Sequence, residues 1–285
     1  MNNREMTALR TTTQAPARHI THRTRGHAQG PITRLVSPSH VGELIKPFVF
    51  LDYFDIHPGH SPAFGFHPHS GIATLTLLLK GQISYEETSG TKGIIEAGGV
   101  EWMRAAGGVW HTGGVVGTER AKGYQLWIAL PPEMESIDPE ALYLERQEFQ
   151  SQGPARVILG RYGEFASQIS APRTINYLDV ALKKGETWRY QPPDNHTVAW
   201  IAVHAGKLAA PATVERGELV VFEESNRALE FEAQEDAAFI LGSSVKHPHE
   251  LVLGYHSVHT HKQALEEGEA KIAEIGRRLQ AQGRL

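Results

Sequence analysis

The sequence predicts an all-β protein with two similar β-barrels in tandem and a C-terminal amphipathic helix. Three observations support this prediction. Short apolar segments alternate with glycine turns along most of the chain, and one pattern of segments and turns occurs twice in the same order. Near the C-terminus the apolar residues change to helical spacing.

The composition is that of an ordinary globular chain. Its 285 residues are 40% hydrophobic and 21% charged, and the formal net charge is −4. This balance gives no electrostatic basis for binding nucleic acid directly, so we expect none. The chain has no cysteine, which excludes disulfides and thiolate ligands, and no apolar run of transmembrane length. We therefore expect no membrane interaction and a cytoplasmic location.

Residues 1–18 are expected to form a disordered leader, because most of them are polar and show no periodicity. A first barrel domain is predicted for residues 19–150. It contains the β-prone segment LIKPFVFLDYF and, further on, the apolar run IATLTLLL, which is followed by a turn at Gly81. The β-branched content and the glycine boundary favour a strand over a helix for this run.

The internal repeat predicts a second barrel domain in residues 151–262. The segment TLTLLLKGQI at 74–83 parallels AWIAVHAGKL at 199–208, and IIEAGGVEWM at 94–103 parallels TVERGELVVF at 213–222. Two units of strand, glycine, strand and turn in the same order indicate two barrels of similar construction.

Residues 263–285 are predicted to form the C-terminal helix. Leu265, Ile272, Ile275 and Leu279 recur at helical spacing. Acidic residues lie early in the segment and two arginines lie late, which is the charge order that the helix dipole favours. We expect the apolar face of this helix to pack back on a barrel.

Three histidines around the first glycine-rich region form a candidate metal site. His67 and His69 are two residues apart, so their side chains leave a strand on the same face. His111 can reach that face from a later strand if the chain folds back in hairpins. Three neutral imidazoles at one point suit a divalent transition metal. The second unit has no histidines at the corresponding positions, so we expect at most one metal site, in the N-terminal half.

Chance also produces such pairs, because the chain contains 16 histidines. His247 and His249 form a second pair in the sequence KHPHE. His57 and His60 lie shortly before the first pair, and they are either neighbours of the metal or ordinary loop residues. Three later histidines are interpreted as surface or capping residues: His256, His259 and His261.

The region around the three histidines reads HPHSGIATLTLLLKGQISYEETSGTKGIIEAGGVEWMRAAGGVWHTGG. This stretch closely resembles the core of the pirin family, a branch of the cupin superfamily. The resemblance extends upstream through GPITRLVSPSHVGELIKPFVFLDYF and downstream through GYQLWIALP, and it covers most of the chain from about residue 19 onward. It implies two jelly-roll-like cupin domains, of which the first carries the metal site and the second carries none.

The resemblance also implies a ligand set, which is His67, His69, His111 and a Glu two residues after the last of them. That position is Gly113, and the Glu that many cupins place four residues after the second His falls on Ala73. Neither residue has a side-chain donor. The site is therefore expected to be a three-His centre completed by water, or one that binds metal weakly or not at all.

Three glutamates are the nearest replacements for the missing carboxylate, although each is interpreted as an outward-facing strand residue: Glu86, Glu87 and Glu101. Four aromatic residues are predicted to line the mouth of the site: Phe64, Phe66, Trp102 and Trp110.

Pirin-like bicupins include proteins with quercetin 2,3-dioxygenase activity, in which dioxygen opens a metal-bound flavonol. The resemblance thus implies a small aromatic substrate and a single divalent metal. Iron is the expected metal, with nickel, zinc, copper and manganese as alternatives. In that chemistry the metal-binding Glu is also the natural base for the flavonol hydroxyl. Gly113 removes it, so turnover is expected to be slow or to need another base.

A non-enzymatic regulatory protein is the alternative. Some pirins resemble regulators that bind partner proteins, with the metal as a conformational sensor, and the missing carboxylates favour this alternative here. In that case the ligand is a protein partner, and the metal is a sensor or is absent. A purely structural bicupin is less well supported, because all three histidines remain although the carboxylates do not.

Overall fold

The computed structural model describes residues 17–59, 64–88, 90–172 and 174–285. In this part of the chain most of the regular structure is β, organised as two barrels with a long helix near the C-terminus. The all-β prediction with a C-terminal helix is confirmed. The predicted leader, residues 1–18, falls almost entirely outside the described residues.

The first barrel pairs a large antiparallel sheet with a small one. Within the described residues the large sheet has seven strands and the small one has four. Across the large sheet the order is β12 (Glu140–Leu144), β9 (Val100–Arg104), β6 (Ile72–Lys80), β11 (Ala121–Ala129), β4 (Phe48–Ile56), β3 (Ile32–Val36) and β2 (His27–Gln29). Across the small sheet the order is β5 (Phe64–His69), β10 (Val109–Val116), β7 (Gln82–Glu87) and β8 (Lys92–Glu96).

The second barrel has the same two kinds of sheet. Across its large sheet the order is β1 (Ile20–Thr24), β22 (Leu219–Phe222), β19 (Val198–Ala205), β24 (Ala237–Ser244), β17 (Ile175–Leu182), β14 (Ala155–Leu159) and β13 (Ser151–Gln152). Across its small sheet the order is β18 (Thr187–Tyr190), β23 (Leu229–Ala233), β20 (Lys207–Ala209) and β21 (Thr213–Glu215).

The remaining elements are short, apart from one helix. Two small hairpins pair β15 (Arg161–Tyr162) with β16 (Phe165–Ala166) and β25 (Val252–Leu253) with β26 (Val258–His259). The helices are α1 (Val41–Ile45), α2 (Lys262–Ala281) and the 3-10 turns Pro132–Met134 and Arg146–Glu148.

The strand orders of the two barrels match one to one. β6 and β19 hold the same place in their large sheets, and so do β9 and β22. These are the strands that contain the two repeated segments of the sequence, so the predicted repeat corresponds to a repeat of architecture.

Strand β1 belongs to the second barrel, although the sequence predicted that it belongs to the first. β1 pairs with β22 in the second barrel, with Ile20 opposite Phe222 and Thr24 opposite Leu219. It occupies there the place that β12 occupies beside β9 in the first barrel. The predicted domain boundary put residues from 19 onward in the first barrel. β1 instead covers an edge of the second large sheet, whose backbone groups would otherwise lack partners.

The two large sheets share a hydrophobic core. One cluster of buried residues includes Leu75 and Trp102 from the first barrel and Tyr177 and Trp200 from the second. The rings of Phe48 and Trp200 meet edge to face with their centroids 5.4 Å apart. Large aromatic residues bury about 150–250 Å² each and dominate such cores. The barrels are therefore joined by packing as well as by the chain.

Helix α2 packs on the outer face of the first barrel's small sheet. The side chain of His261 caps it by accepting a hydrogen bond from the backbone N–H of Ala264. Further along, the indole N–H of Trp110 on β10 donates to the main-chain oxygen of Ile272 at 2.7 Å. The helix thus lies behind the strands that carry the histidines. Among the described residues no helix is long and apolar enough to cross a bilayer.

Candidate metal centre

His67, His69 and His111 lie on two adjacent antiparallel strands and face one another. In the pairing of β5 with β10, His67 is opposite His111 and His69 is opposite Val109. The ring centroids are 4.4 Å apart for His67 and His111, 5.0 Å for His67 and His69, and 5.1 Å for His69 and His111. Strand alternation and strand register together bring the three side chains to one side of the small sheet.

One nitrogen of each ring is held by a protein acceptor, and the other faces the shared space. The Nδ1 contacts are Gly65 O for His67 at 2.8 Å, His256 O for His69 at 3.1 Å, and Glu101 Oε1 for His111 at 3.4 Å. Carbonyl and carboxylate oxygens only accept hydrogen bonds, so each Nδ1 carries the proton and each Nε2 keeps its lone pair.

The Nε2 atoms have the surroundings expected of metal ligands. Within the described residues, Nε2 of His69 and Nε2 of His111 are buried without a hydrogen-bond partner. One nitrogen from each of the three rings lies within 4.8 Å of the other two. Buried polar atoms without partners are costly, and a bound cation would satisfy them. The donor set therefore fits a divalent transition metal.

Burial keeps two of these imidazoles, those of His67 and His69, neutral. It lowers the pKa of His67 to about 4, with His111 nearby as the next cause. It also lowers the pKa of the fully buried His69 well below the usual value, and the neighbouring histidines add to this effect. A neutral imidazole is the form that binds a metal, so burial keeps His67 and His69 in the form that a metal requires.

Glu101 faces the barrel interior beside the three histidines, so the prediction that it faces outward is wrong. It lies on β9 opposite Thr76 of β6 and is only 5% exposed. Thr76 Oγ1 donates to its Oε2 at 2.9 Å, while its Oε1 faces His111. Burial alone would raise the pKa of this carboxyl, but the hydrogen bonds from His111 and Thr76 outweigh burial and hold the pKa below its usual value.

The other two candidate glutamates divide between the two faces of β7. Glu86 forms an ion pair with Arg284 at 2.6 Å on the outer side, as an outward-facing residue would. Glu87 lies opposite His111 in the strand pairing and is buried, and its carboxylate accepts a hydrogen bond from the backbone N–H of Thr91. The outward-facing prediction is therefore wrong for Glu87.

The two positions that resemblance assigns to carboxylates provide no ligand. Gly113 lies on β10 opposite Tyr85, and a Cβ there would lie 2.8 Å from the main-chain oxygen of Ser84. Ala73 is fully buried in the core shared by the barrels. The corner of the site at Gly113 is open to the barrel interior.

A small cavity of about 60 Å³ lies next to this corner inside the first barrel. Its lining includes His67, His111, Glu101, Gly113 and Thr76. Pockets for drug-sized ligands usually measure about 300–1,000 Å³. The cavity therefore has room for a few water-sized molecules but not for a flavonol.

The aromatic residues predicted for the mouth are not all beside the histidines. Trp102 is adjacent to the inward-facing Glu101, so it points to the other face of β9 and is buried in the shared core. Trp110 likewise alternates with His111 and packs under α2. Phe66 lies beneath the guanidinium of Arg284 at 5.2 Å. The side chain of Phe64 lies outside the described part of the structure.

His256 reaches the site from the hairpin between β25 and β26. Its ring centroid is 6.0 Å from that of His67 and 5.9 Å from that of His69. The sequence analysis interpreted it as a surface or capping residue. Its position near His69 could not be read from the sequence, because the two residues are 187 positions apart. Its carbonyl is the group that fixes the His69 ring.

The other histidines have separate roles. His259 is buried, which its interpretation as a surface residue missed, and its Nε2 lies 3.0 Å from Ser70 Oγ. His261 caps α2, as predicted. His247 is buried with Nε2 3.2 Å from Leu130 O. The ring centroid of His249 lies 5.6 Å from that of His247. His57 directly follows the end of β4, and His60 lies outside the described residues.

Fold and site together define a tandem-barrel protein of the cupin type with one cluster of metal-binding character among its described residues. The sequence model of the pirin family matches residues 30–128. A Pseudomonas aeruginosa protein provisionally named a quercetin 2,3-dioxygenase is 30% identical over 251 residues, which cover 81% of this chain and 86% of the relative. The chain belongs to the pirin family.

Solved structures have the same fold. A quercetin 2,3-dioxygenase from Acinetobacter baumannii superposes with a TM-score of 0.76 at 22% identity, over 90% of this chain and 94% of the other. The bacterial pirin YhhW from Escherichia coli, in complex with nickel(II), gives a TM-score of 0.63 at 23% identity, over 77% of this chain and 94% of the other. Both comparisons show two cupin barrels as the architecture.

Proposed function

We propose that this chain binds one divalent transition metal through His67, His69 and His111 and acts as a dioxygenase on a flavonol-like aromatic substrate. The observation that supports this most directly is the arrangement of the three rings, each with Nδ1 held and Nε2 available. The named activity of relatives suggests the substrate class.

The metal ligands would be three neutral imidazoles, which suit iron, nickel, copper and zinc. We expect iron first, and manganese is a further alternative. Nickel occupies the related pirin from Escherichia coli. When bound, such a metal supplies Lewis acidity and open coordination positions for oxygenation. The chain contributes the orientation of the three rings and an unobstructed corner at Gly113.

The substrate would approach on the side of His67 rather than through the barrel. The cavity of about 60 Å³ inside the barrel, which His67 also lines, is too small for a flavonol. His67 is the least buried of the three ligands. The hairpin beside it presents His256 together with Tyr255, which is 88% exposed and stands 4.4 Å from the His256 ring. These two residues are our candidates for contact with an aromatic substrate.

The metal content of untagged protein tests the first part of the proposal. We expect close to one metal ion per chain, and we expect His67→Ala and His111→Ala each to lose it because two imidazoles would remain. His27→Ala, which removes an exposed histidine on β2, should keep full occupancy. The measurement is elemental analysis after gel filtration. Protein that stays metal-free after anaerobic incubation with iron, nickel and zinc would contradict the proposed site.

Oxygen-dependent loss of quercetin tests the second part. Metal-loaded protein should consume quercetin slowly, since Gly113 provides no base for the substrate hydroxyl. The reaction should stop when dioxygen is removed and in His67→Ala. A metal-loaded protein without turnover at any pH would contradict the enzyme assignment. In that case a protein partner whose binding changes with metal or with His67→Ala would support the regulatory alternative.

A further inference from the structure

We propose that Glu101 is the positioning carboxylate of this centre, which holds the His111 ring from behind instead of binding the metal itself. The inference rests on the proposed metal function and adds to it a role for two residues, Glu101 and Thr76. The carboxylate of the site would then come from β9 of the large sheet, whereas the resemblance implies a carboxylate on β10 at position 113.

The contact geometry places Glu101 behind the ligand. Its Oε1 faces His111 Nδ1 at 3.4 Å, whereas the metal-binding nitrogen would be Nε2 on another edge of the ring. Its Oε2 is engaged by Thr76 Oγ1 at 2.9 Å. The carboxylate thus contacts Nδ1 of His111 and would act on the metal only through that ring. A hydrogen bond of 3.4 Å is long, so its strength depends on the burial of both groups.

Burial makes this contact effective. Glu101 is 5% exposed and His111 is 4% exposed, so neither group is well placed to exchange its partner for water. A buried carboxylate without donors would be strongly disfavoured, and Thr76 and His111 are the donors that face it. Thr76 lies directly opposite Glu101 in the pairing of β6 with β9, so strand register fixes the orientation of the carboxylate.

Two consequences follow for metal binding. A carboxylate behind a histidine fixes its tautomer and raises the basicity of the ligating nitrogen, and loss of such a partner typically lowers metal affinity about 10–100-fold. Its negative charge also offsets part of the metal's positive charge, whereas three neutral imidazoles contribute no negative charge. The corner at Gly113 meanwhile stays open for an external ligand.

Metal affinity of the purified protein tests the role, with four variants. Glu101→Met removes the acceptor at similar size and should weaken zinc binding about 10–100-fold. Glu101→Gln keeps an acceptor oxygen and should lose less. Thr76→Val removes the hydroxyl at similar size and should fall between wild type and Glu101→Met. Glu86→Gln, which changes a carboxylate on the outer face of β7, should bind like wild type.

A second measurement reads the ring directly and needs no metal. Nitrogen NMR of metal-free protein should show His111 as the Nδ1–H tautomer in wild type and in Glu101→Gln, and as a mixture in Glu101→Met. A merely structural residue would not change the tautomer of one histidine. If Glu101→Met binds zinc within twofold of wild type and keeps the Nδ1–H tautomer, the positioning role is wrong.

These outcomes separate the two proposals. Wild-type protein that binds no metal refutes the proposed function, and the tautomer measurement then decides the role of Glu101 by itself. Wild-type protein that binds metal, together with a Glu101→Met variant that is unchanged in both measurements, refutes the role of Glu101 alone.

Discussion

At the scale of single residues, the neighbouring backbone leaves no room for a side chain at position 113. A Cβ on Gly113 would approach the main-chain oxygen of Ser84 to 2.8 Å. That oxygen belongs to β7, which is paired with β10 along its length and cannot move freely. Gly113→Ala should therefore lower the free energy of unfolding by about 1–3 kcal/mol, as overpacking does. Urea denaturation of the metal-free protein measures this change.

Gly65 supplies the matched control for that substitution. It lies on the neighbouring strand β5, and in the described part of the structure a Cβ there would have no atom within 4 Å. Gly65→Ala should change stability by less than about 0.5 kcal/mol. Equal stability of Gly113→Ala and wild type would show that close packing does not require glycine at 113.

The i, i+2 spacing predicted that His67 and His69 share one face of a strand, and a hairpin was expected to bring His111 to the same face, where the pairing of β5 with β10 places it. The sequence missed Glu101 because β9 is buried on both faces. Val100, Glu101, Trp102 and Met103 are all buried, so no alternation of polar and apolar residues shows which face is inward. One signal was available: Glu101 is next to Trp102, and adjacent residues of a strand point to opposite faces, so one of the two had to face the barrel interior.

At the scale of elements, helix α2 and strand β10 fit together through a glycine. A Cβ on Gly276 would lie 2.7 Å from the Trp110 ring, which is tethered to the helix by its bond to Ile272 O. Alanine is favoured over glycine in helices by about 1 kcal/mol. Overpacking costs about 1–3 kcal/mol, so the clash should prevail. Gly276→Ala should lower the free energy of unfolding by up to about 2 kcal/mol, measured by thermal or urea denaturation.

Ala270→Gly isolates the propensity term in the same helix. Ala270 is exposed, so this substitution should cost about 1 kcal/mol without any change in packing. If Gly276→Ala instead stabilises the protein by a similar amount, the ring and helix have room for a methyl group. The proposed fit would then be wrong.

Helical spacing predicted α2 within a few residues of Lys262–Ala281, but it could not predict which surface the helix covers. That choice depends on Trp110 and Phe66, which face outward from the small sheet and appear in the sequence only as aromatic residues next to histidines. The position of β1 was unpredictable for a similar reason. A short strand with half-buried residues pairs with whichever sheet edge lies nearby.

At the scale of the whole molecule, folding places neutral histidines in both barrels. Burial is the main cause that lowers the pKa of each, to about 4 for His67 in the first barrel and for His196 in the second. An unfolded chain binds protons to the same groups near pH 6.5. Below that pH the unfolded state gains protons that the folded state excludes, so acid should destabilise the molecule.

His196 allows this to be tested away from the metal ligands. It is buried, and its Nδ1 lies 3.1 Å from Ser243 Oγ. Each excluded proton contributes a slope of up to about 1.4 kcal/mol per pH unit, so stability that is complete above pH 6.5 should fall between about 6.5 and 4. His196→Asn keeps an amide near Ser243 but has no proton to gain, so its stability should fall less steeply over this range. The exposed His27→Asn should match wild type, and urea denaturation of chelated protein from pH 7.5 to 4.5 measures all three. Parallel curves for His196→Asn and wild type would show that this histidine is not a source of the acid sensitivity.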